Sequence, residues 1–397
     1  MGYKKNIFPD ELKIAVVKPI YKKDCQNNPA NYRPISILSV LSKVFERSAV
    51  DQLVKHFETN HILSGSQHAY RKGHSTVTCL AEITNKIYKS LDKGQIVGMV
   101  SMDLSMAFDA ICHSHLLQKL CDMGLHQDSI FWIKCYLTSR KQRTSFKNVT
   151  SEECGVTSGV PQGSILGPIL FLCYTNDLTT SFPEAQVTSY ADDTQFIVTG
   201  RTIEEVKRKI ELIIQKAEAW YRNNSLMSNP SKTEVIVFSP TRNQTLPTID
   251  RYENGKKFDL NISKHLKVLG VHIDHNMKWD HHITCLRKKT IGIVRHLHRT
   301  NKILPTKTKL KLYDSLVASH LNYADVIWSG CNQANKQKLQ GVQNFALKSV
   351  LQKKKSDSAT QALQTLKYLN LEEKRNIHEA VFTHKVIAGK MPTNLMS

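Results

Sequence analysis

A chain of 397 residues, 41% of them hydrophobic, is long enough for two or three packed units and ordinary for a globular protein. Lys and Arg outnumber Asp and Glu by 55 to 34, a formal net charge of +21, which points to a polyanionic partner and to nucleic acid before anionic membrane. No apolar run approaches the roughly 20 residues that span a bilayer, no basic amphipathic membrane helix or lipidation signal stands out, and nine scattered cysteines with no C-x-x-C pair argue against a disulfide framework and a zinc finger. The N-terminus lacks an apolar secretory core, so an intracellular location, nuclear and cytoplasmic, is expected.

The first predicted strand is Lys13 to Tyr21, ending in a basic turn. Asn31-Tyr32-Arg33-Pro34-Ile35-Ser36 leads into a helical pattern that places Leu38, Leu41, Val44 and Phe45 on one face and continues to Phe57. A loop holding Arg71-Lys72-Gly73-His74-Ser75-Thr76 follows, and Ser75 or Thr76 is placed to cap a helix through Leu80, Ile83 and Ile87. Ile96 to Asp103 reads as a buried strand ending in an acid, and a helix through Leu116, Leu117 and Leu120 comes after it. Between Gly155 and Phe171, glycines and prolines punctuate a loop entering an apolar helix. Ser189 to Val198 is a hairpin with Asp192 and Asp193 at its turn. Thr202 caps a long amphipathic helix to Trp220, and Glu234–Phe238 and His265 to Asp274 read as strands. Beyond Asp280 the pattern is helical and basic. From Lys278 to Ser397 there are 21 Lys and Arg against 7 Asp and Glu, so +14 of the +21 sits in that segment. The sum is an α+β chain with carboxylates at strand ends and turns.

Those carboxylates carry the chemistry. An acid ending an apolar strand must be paired or bind a cation. Two adjacent acids in a hairpin turn repel each other unless a cation sits between them. A pair of Mg²⁺ ions held by Asp103, Asp192 and Asp193 satisfies both demands, and such a pair suits in-line phosphoryl displacement. The plainer alternative is an Asp-Asp pair chosen for turn propensity and an unrelated cap at Asp103.

Five motifs then occur in a familiar order. Tyr190-Ala191-Asp192-Asp193, Asp103-Leu104-Ser105-Met106-Ala107-Phe108-Asp109, Gly159-Val160-Pro161-Gln162-Gly163-Ser164-Ile165-Leu166-Gly167-Pro168, Arg71 to Thr76 and Asn31 to Ser36 together resemble reverse transcriptases. Their wording is closest to non-LTR retrotransposons of the jockey-like or LINE type, as is Leu321 to Trp328, and the resemblance runs from about Lys13 to about Trp328. It implies a right-hand polymerase: fingers and palm over residues 1–274, a thumb-like helical region over 275–350 and a basic, mainly helical C-terminal extension over 351–397. It implies an RNA-directed DNA polymerase that extends a DNA primer on an RNA template with dNTPs. Asp103, Asp192 and Asp193 are the implied ligands of two Mg²⁺ ions, with Mn²⁺ as a substitute. Phe108 is the implied steric gate against a ribose 2′-OH, although core packing explains it as well. Arg71 is the implied triphosphate grip, with Arg33 and Lys72 as lesser candidates for that grip or for the template backbone. Gln162 is expected near the sugar and base of the nucleotide. Lys232 resembles the lysine that protonates the pyrophosphate leaving group, with a plain surface lysine as the alternative. Leu266 to His272 resembles the primer grip, and the basic helices after Lys278 are either the thumb or a solvated charged face.

The sequence departs from the family in having His68-Ala69-Tyr70 where a Gly-Phe pair is commoner before the arginine. Residues 1–12 leave no room for the endonuclease of complete elements, so that activity is expected to be absent from this chain. A catalytically inactive, nucleic-acid-binding relic is the rival reading, and the three acids, Phe108, Gln162 and Arg71 count against it. A group II intron-type enzyme would need a maturase or HNH region after the thumb, which is not evident.

Overall fold

The structure is a computed structural model that describes residues 7–240, 249–253, 256–260, 262–300, 303–354 and 356–395. The N-terminal residues read for a secretory signal, and Lys355 of the lysine run, lie outside the described residues.

Strands β1 (Ile14–Tyr21) and β2 (Tyr32–Ile37) form an antiparallel hairpin. Helix α1 (Val40–Thr59) follows, then α2 (Thr76–Asp92), which opens on a capping box between Ser75 and Thr78. Next come β3 (Ile96–Met102), the short β4 (Leu104–Ser105), and helices α3 (His113–Asp122) and α4 (Gln127–Leu137). The basic stretch from Arg140 is a strand, β5 (Arg140–Phe146), which pairs parallel with β1; β6 (Val149–Thr150) and β7 (Cys154–Val156) complete this first sheet. Helix α5 (Gly167–Tyr174) leads to β8 (Gln186–Tyr190), β9 (Asp193–Gly200) and the long α6 (Ile203–Asn223), capped by the Thr202 side chain as expected. Strands β10 (Met227–Ser228), β11 (Glu234–Phe238), β12 (Ile249–Glu253) and β13 (Lys256–Leu260) follow. The segment from His265 to Asp274 is a hairpin, β14 (His265–Val268) and β15 (Val271–Asp274), because Leu269 and Gly270 both take positive φ and reverse the chain.

The central sheet has the order β11-β3-β9-β8, all antiparallel. β3 and β11 read as near-continuous apolar runs, as expected of strands covered on both faces. Val100, Met102, Phe196, Val198, Val235 and Val237 face one hydrophobic core, shared with α3, α4, α5 and α6. Val97, Met99, Ile197, Ile236 and Phe238 face a second core, shared with α2, the β14–β15 hairpin and the C-terminal helices. Gly98 lies against α6 so closely that a Cβ would stand 2.6 Å from Ile210 and 2.7 Å from Val206.

The C-terminal helices are α7 (Asp280–Arg299), α8 (Thr306–Tyr313), α9 (Ser319–Leu321), α10 (Asp325–Trp328), α11 (Gln333–Val350), α12 (Ala359–Leu366) and α13 (Leu371–Ile387); a π-helical turn, Asp314–Ala318, joins α8 to α9. α12 packs on α11, and α13 packs on α10 and α11. The chain then returns to α2, where Asn394 Nδ2 donates to Ser66 Oγ at 3.2 Å. Residues 351–395, as described, are therefore docked on the body rather than detached from it.

Helix α1 corrects the predicted face. Leu41 and Val44 are exposed, and the helix buries Ser42, Glu46, Ala49, Val50, Leu53 and Phe57. The reason is the Glu46 carboxylate, which accepts hydrogen bonds from Ile165 N (2.6 Å), Leu166 N (3.3 Å) and Ser42 Oγ (2.7 Å). It satisfies the backbone donors at the entry to α5, so the acid turns inward with its neighbours.

Candidate active site

β3 delivers Asp103 beside the β8–β9 turn. The register pairs Met102 with Thr194 and Tyr190 with Asp193, and Ala191 at φ 55° makes the tight reversal that brings Asp192 and Asp193 to the end of the sheet. β10 pairs with β4, and Asn229 N donates to Asp103 O at 2.8 Å. That pairing carries the following turn, Pro230–Lys232, across the acid, and Lys232 Nζ donates to Asp103 Oδ2.

The three acids face one open cavity of about 580 Å³. Arg33, Phe108, Gln162 and Lys232 also line it. Burial, then Asp192 and Asp103, push the Asp193 carboxyl up to about 6, with Lys232 opposing. Burial and Asp103 likewise raise Asp192, against Arg33 and Lys232. Burial and mutual repulsion of the acids thus outweigh the nearby Lys232 and Arg33. The donor set, carboxylates only and open to solvent on one side, is that of a hard divalent cation that also binds substrate oxygens.

The loop expected between the two acid motifs is fixed by backbone. Val160 N donates to Phe108 O and Gly159 N to Ile111 O, both at 2.8 Å. A Cβ on Gly159 would stand 2.7 Å from the Asp109 backbone, and one on Gly163 (φ 128°) 2.5 Å from Ser36 O. Ser36 N donates to Gln162 O at 2.7 Å, which ties β2 to this loop and sets Arg33 over the cavity. Gln162 Nε2 donates to Asp109 Oδ2 at 2.8 Å. The Phe108 ring packs on Phe171, with centroids 4.8 Å apart, and also lines the cavity, so packing and lining coexist.

Arg71 and Lys72 are not brought to this cavity. Arg71 turns inward, donating through Nη1 to Ser64 O (2.5 Å) and Gln67 O (3.3 Å), with Glu58 Oε1 3.7 Å from Nε. Lys22 and Tyr70 line the cavity and were not singled out in the sequence. Lys22 had a local signal, the basic turn closing a hairpin beside the Asn31–Ser36 motif. Tyr70 sits at φ 56°, and burial, then Asp192 and Tyr190, raise its phenol.

The Leu321 to Trp328 motif lies behind the site. Tyr323 OH donates to Leu269 O at 2.7 Å, at the tip of the β14–β15 hairpin, and Trp328 is buried under the Arg375 guanidinium, 4.7 Å from the ring centroid. Among the described residues no helix is long and apolar enough to cross a membrane.

The model of the family described as "Reverse transcriptase (RNA-dependent DNA polymerase)" matches residues 20–273. The chain is 28% identical over 85% of its length to a probable RNA-directed DNA polymerase from transposon X-element of Drosophila melanogaster, covering 37% of that protein. It is 26% identical over 81% of its length to the RNA-directed DNA polymerase from mobile element jockey of Drosophila funebris, covering 35% of it. The chain thus spans well under half the length of these relatives. Among solved structures, telomerase from Candida tropicalis aligns with a TM-score of 0.51 at 12% identity, over 86% of this chain and 58% of that one. Telomerase from Candida albicans, in complex with a fragment of telomeric RNA, aligns at 0.50 and 11% identity, over 92% and 68%. At such identities the likeness is one of fold, and it fits the expected right-hand polymerase. The chain belongs to the reverse transcriptase (RNA-dependent DNA polymerase) family, whose members generally work with divalent metal ions.

Proposed function

We propose that this chain is the polymerase part of a non-LTR retrotransposon reverse transcriptase, extending a DNA primer with dNTPs on an RNA template. The observation that supports it most is the single cavity lined by Asp103, Asp192, Asp193, Phe108, Gln162 and Arg33. Asp103 and Asp192 would hold two Mg²⁺ ions, with Asp193 contributing less directly. Bound there, the ions would polarise the phosphate and activate the primer hydroxyl. Arg33 and Lys22 take the role expected of Arg71, neutralising the triphosphate. Lys232, already on Asp103, is positioned to give a proton to the departing pyrophosphate. Phe108 excludes a 2′-OH, and Gln162 braces the loop under the sugar. The protein supplies position and charge rather than a covalent intermediate.

The basic helices from α7 onward act as thumb and C-terminal grip. Arg287, Lys288, Lys289, Arg295 and Arg299 are all exposed on α7, as tracking a phosphate backbone requires. The test is extension of a DNA primer annealed to RNA by the purified chain with Mg²⁺ and dNTPs. Template-directed addition is the expected result; binding of the duplex with no addition would favour the relic.

A further inference from the structure

Away from the carboxylate cavity, the β14–β15 hairpin and the first C-terminal helix share a cluster of imidazoles. His265 and His272 project from the hairpin, and His281, His282 and Cys285 from α7. The rings of His265 and His281 stack with centroids 3.7 Å apart and planes at 17°, and His272 meets His281 edge-on at 4.9 Å. His272, His281 and Cys285 each present one ligand atom, and these atoms lie within 4.8 Å of one another. We propose that His272, His281 and Cys285 bind one Zn²⁺ ion that pins the hairpin to the first C-terminal helix.

The donor set decides the metal. One thiolate and two imidazoles suit a borderline-soft ion and suit Mg²⁺ poorly. The spacing fits as well. With Zn–S of about 2.3 Å and Zn–N of about 2.0 Å in a tetrahedron, sulfur and nitrogen stand about 3.5 Å apart; Cys285 Sγ and His281 Nε2 are 3.4 Å apart. His281 and Cys285 lie four apart on one helix face, so their side chains converge without backbone movement. His272 supplies the independent observation: its Nδ1 is buried with no hydrogen-bond partner, an imidazole nitrogen turned into protein with nothing to accept or donate to.

The surrounding backbone holds these side chains in place. His272 N donates to His282 Nδ1 at 3.3 Å, and His281 N donates to Asp274 Oδ2 at 3.4 Å. Hairpin and helix are thus already in register before an ion binds, and only side-chain rotation is needed to gather the three donors. A fourth position is left for water, as in open zinc sites. The sequence signal was His-x8-His-x3-Cys, His272 to Cys285, which a search for paired cysteines passes over.

The experiment loads the full chain with Zn²⁺ in excess Mg²⁺, removes loose metal by gel filtration and measures retained zinc. Loading with Co²⁺ in parallel reads the thiolate directly, through ligand-to-metal charge-transfer absorption. The wild type is expected to keep about one ion per chain with a tetrahedral cobalt spectrum. Cys285→Ser should lose the charge-transfer band and most of the retained zinc, His272→Ala most of the zinc, and Asp192→Asn neither. Hydrogen exchange in 265–285 should slow on zinc loading in the wild type and not in Cys285→Ser. Circular dichroism matched to wild type establishes that each variant is folded. Zinc retained equally by wild type and Cys285→Ser, or none retained by wild type, overturns the site. Neither result touches the polymerase reading, which primer extension tests separately.

Discussion

On the proposed reading, the carboxylate cavity and the basic C-terminal helices would solve different problems with different materials. At the cavity, position is everything: the Asp103 carbonyl and the Gly159 N–H are each held by a backbone hydrogen bond of 2.8 Å, Asp192 sits in the turn between the paired Tyr190 and Asp193, and Gly163 follows Gln162, whose carbonyl accepts from Ser36 N at 2.7 Å. The helices from Asp280 onward hold +14 over residues 278–397, yet their exposed cations on α7 have no such constraint. A reaction needs atoms placed to a fraction of an ångström, whereas a polyanion needs only charge at roughly the right spacing. Chemistry and grip should therefore be separable by substitution.

The largest expected effect comes from breaking the cavity. Asp103→Asn should cut primer extension by about a thousandfold or more, because several kcal/mol of transition-state stabilisation is lost; single-turnover rates measure it. Next comes the grip. Replacing Arg287, Lys288, Lys289, Arg295 and Arg299 with Gln should flatten the dependence of log affinity on log salt by about 0.9 for each duplex phosphate contact removed. Sequence preference should stay unchanged, since phosphate contacts read no bases; titrations at several salt concentrations decide. Substitution is preferable to truncation at Lys278, because the second core joins Val97, Met99 and Ile236 of the central sheet to these helices, and truncation would strip it. Phe108→Val should raise the ratio of ribonucleotide to deoxynucleotide use about tenfold, the scale of 1–3 kcal/mol for a change in pocket shape; an unchanged ratio would assign Phe108 to packing on Phe171 alone. Gly163→Ala should cost about 1–3 kcal/mol of stability in chemical denaturation, since its φ of 128° and the Ser36 carbonyl leave no room for a Cβ. The smallest effect is Val44→Asp, within about 0.5 kcal/mol, because Val44 is exposed.

The same contrast explains what could be read from the chain. The cavity was legible because its residues fall in short contiguous motifs, and the loop between Gly159 and Pro168 announced its close approaches through glycine. The inward turn of Arg71 was not legible, because its partners Glu58, Ser64 and Gln67 are set by how one loop folds on itself. Nor was the buried face of α1, since Glu46 is drawn inward by backbone donors 119 residues away. A periodicity reading assigns a carboxylate to solvent, and only the folded chain shows the unsatisfied N–H groups that claim it. Outside Leu321 to Trp328 the basic helices gave their charge but no motif, so their packing onto the central sheet had to come from the structure.

The most direct test measures duplex binding and primer extension side by side for Asp192→Asn and for the five-fold α7 substitution. The account predicts opposite patterns: Asp192→Asn binds RNA–DNA duplex nearly as wild type and extends almost nothing, while the α7 variant binds weakly and still extends at saturating enzyme. If Asp192→Asn extended at near wild-type rate with Mg²⁺, or if both variants lost binding and extension in proportion, the assignment of chemistry to this cavity would be contradicted.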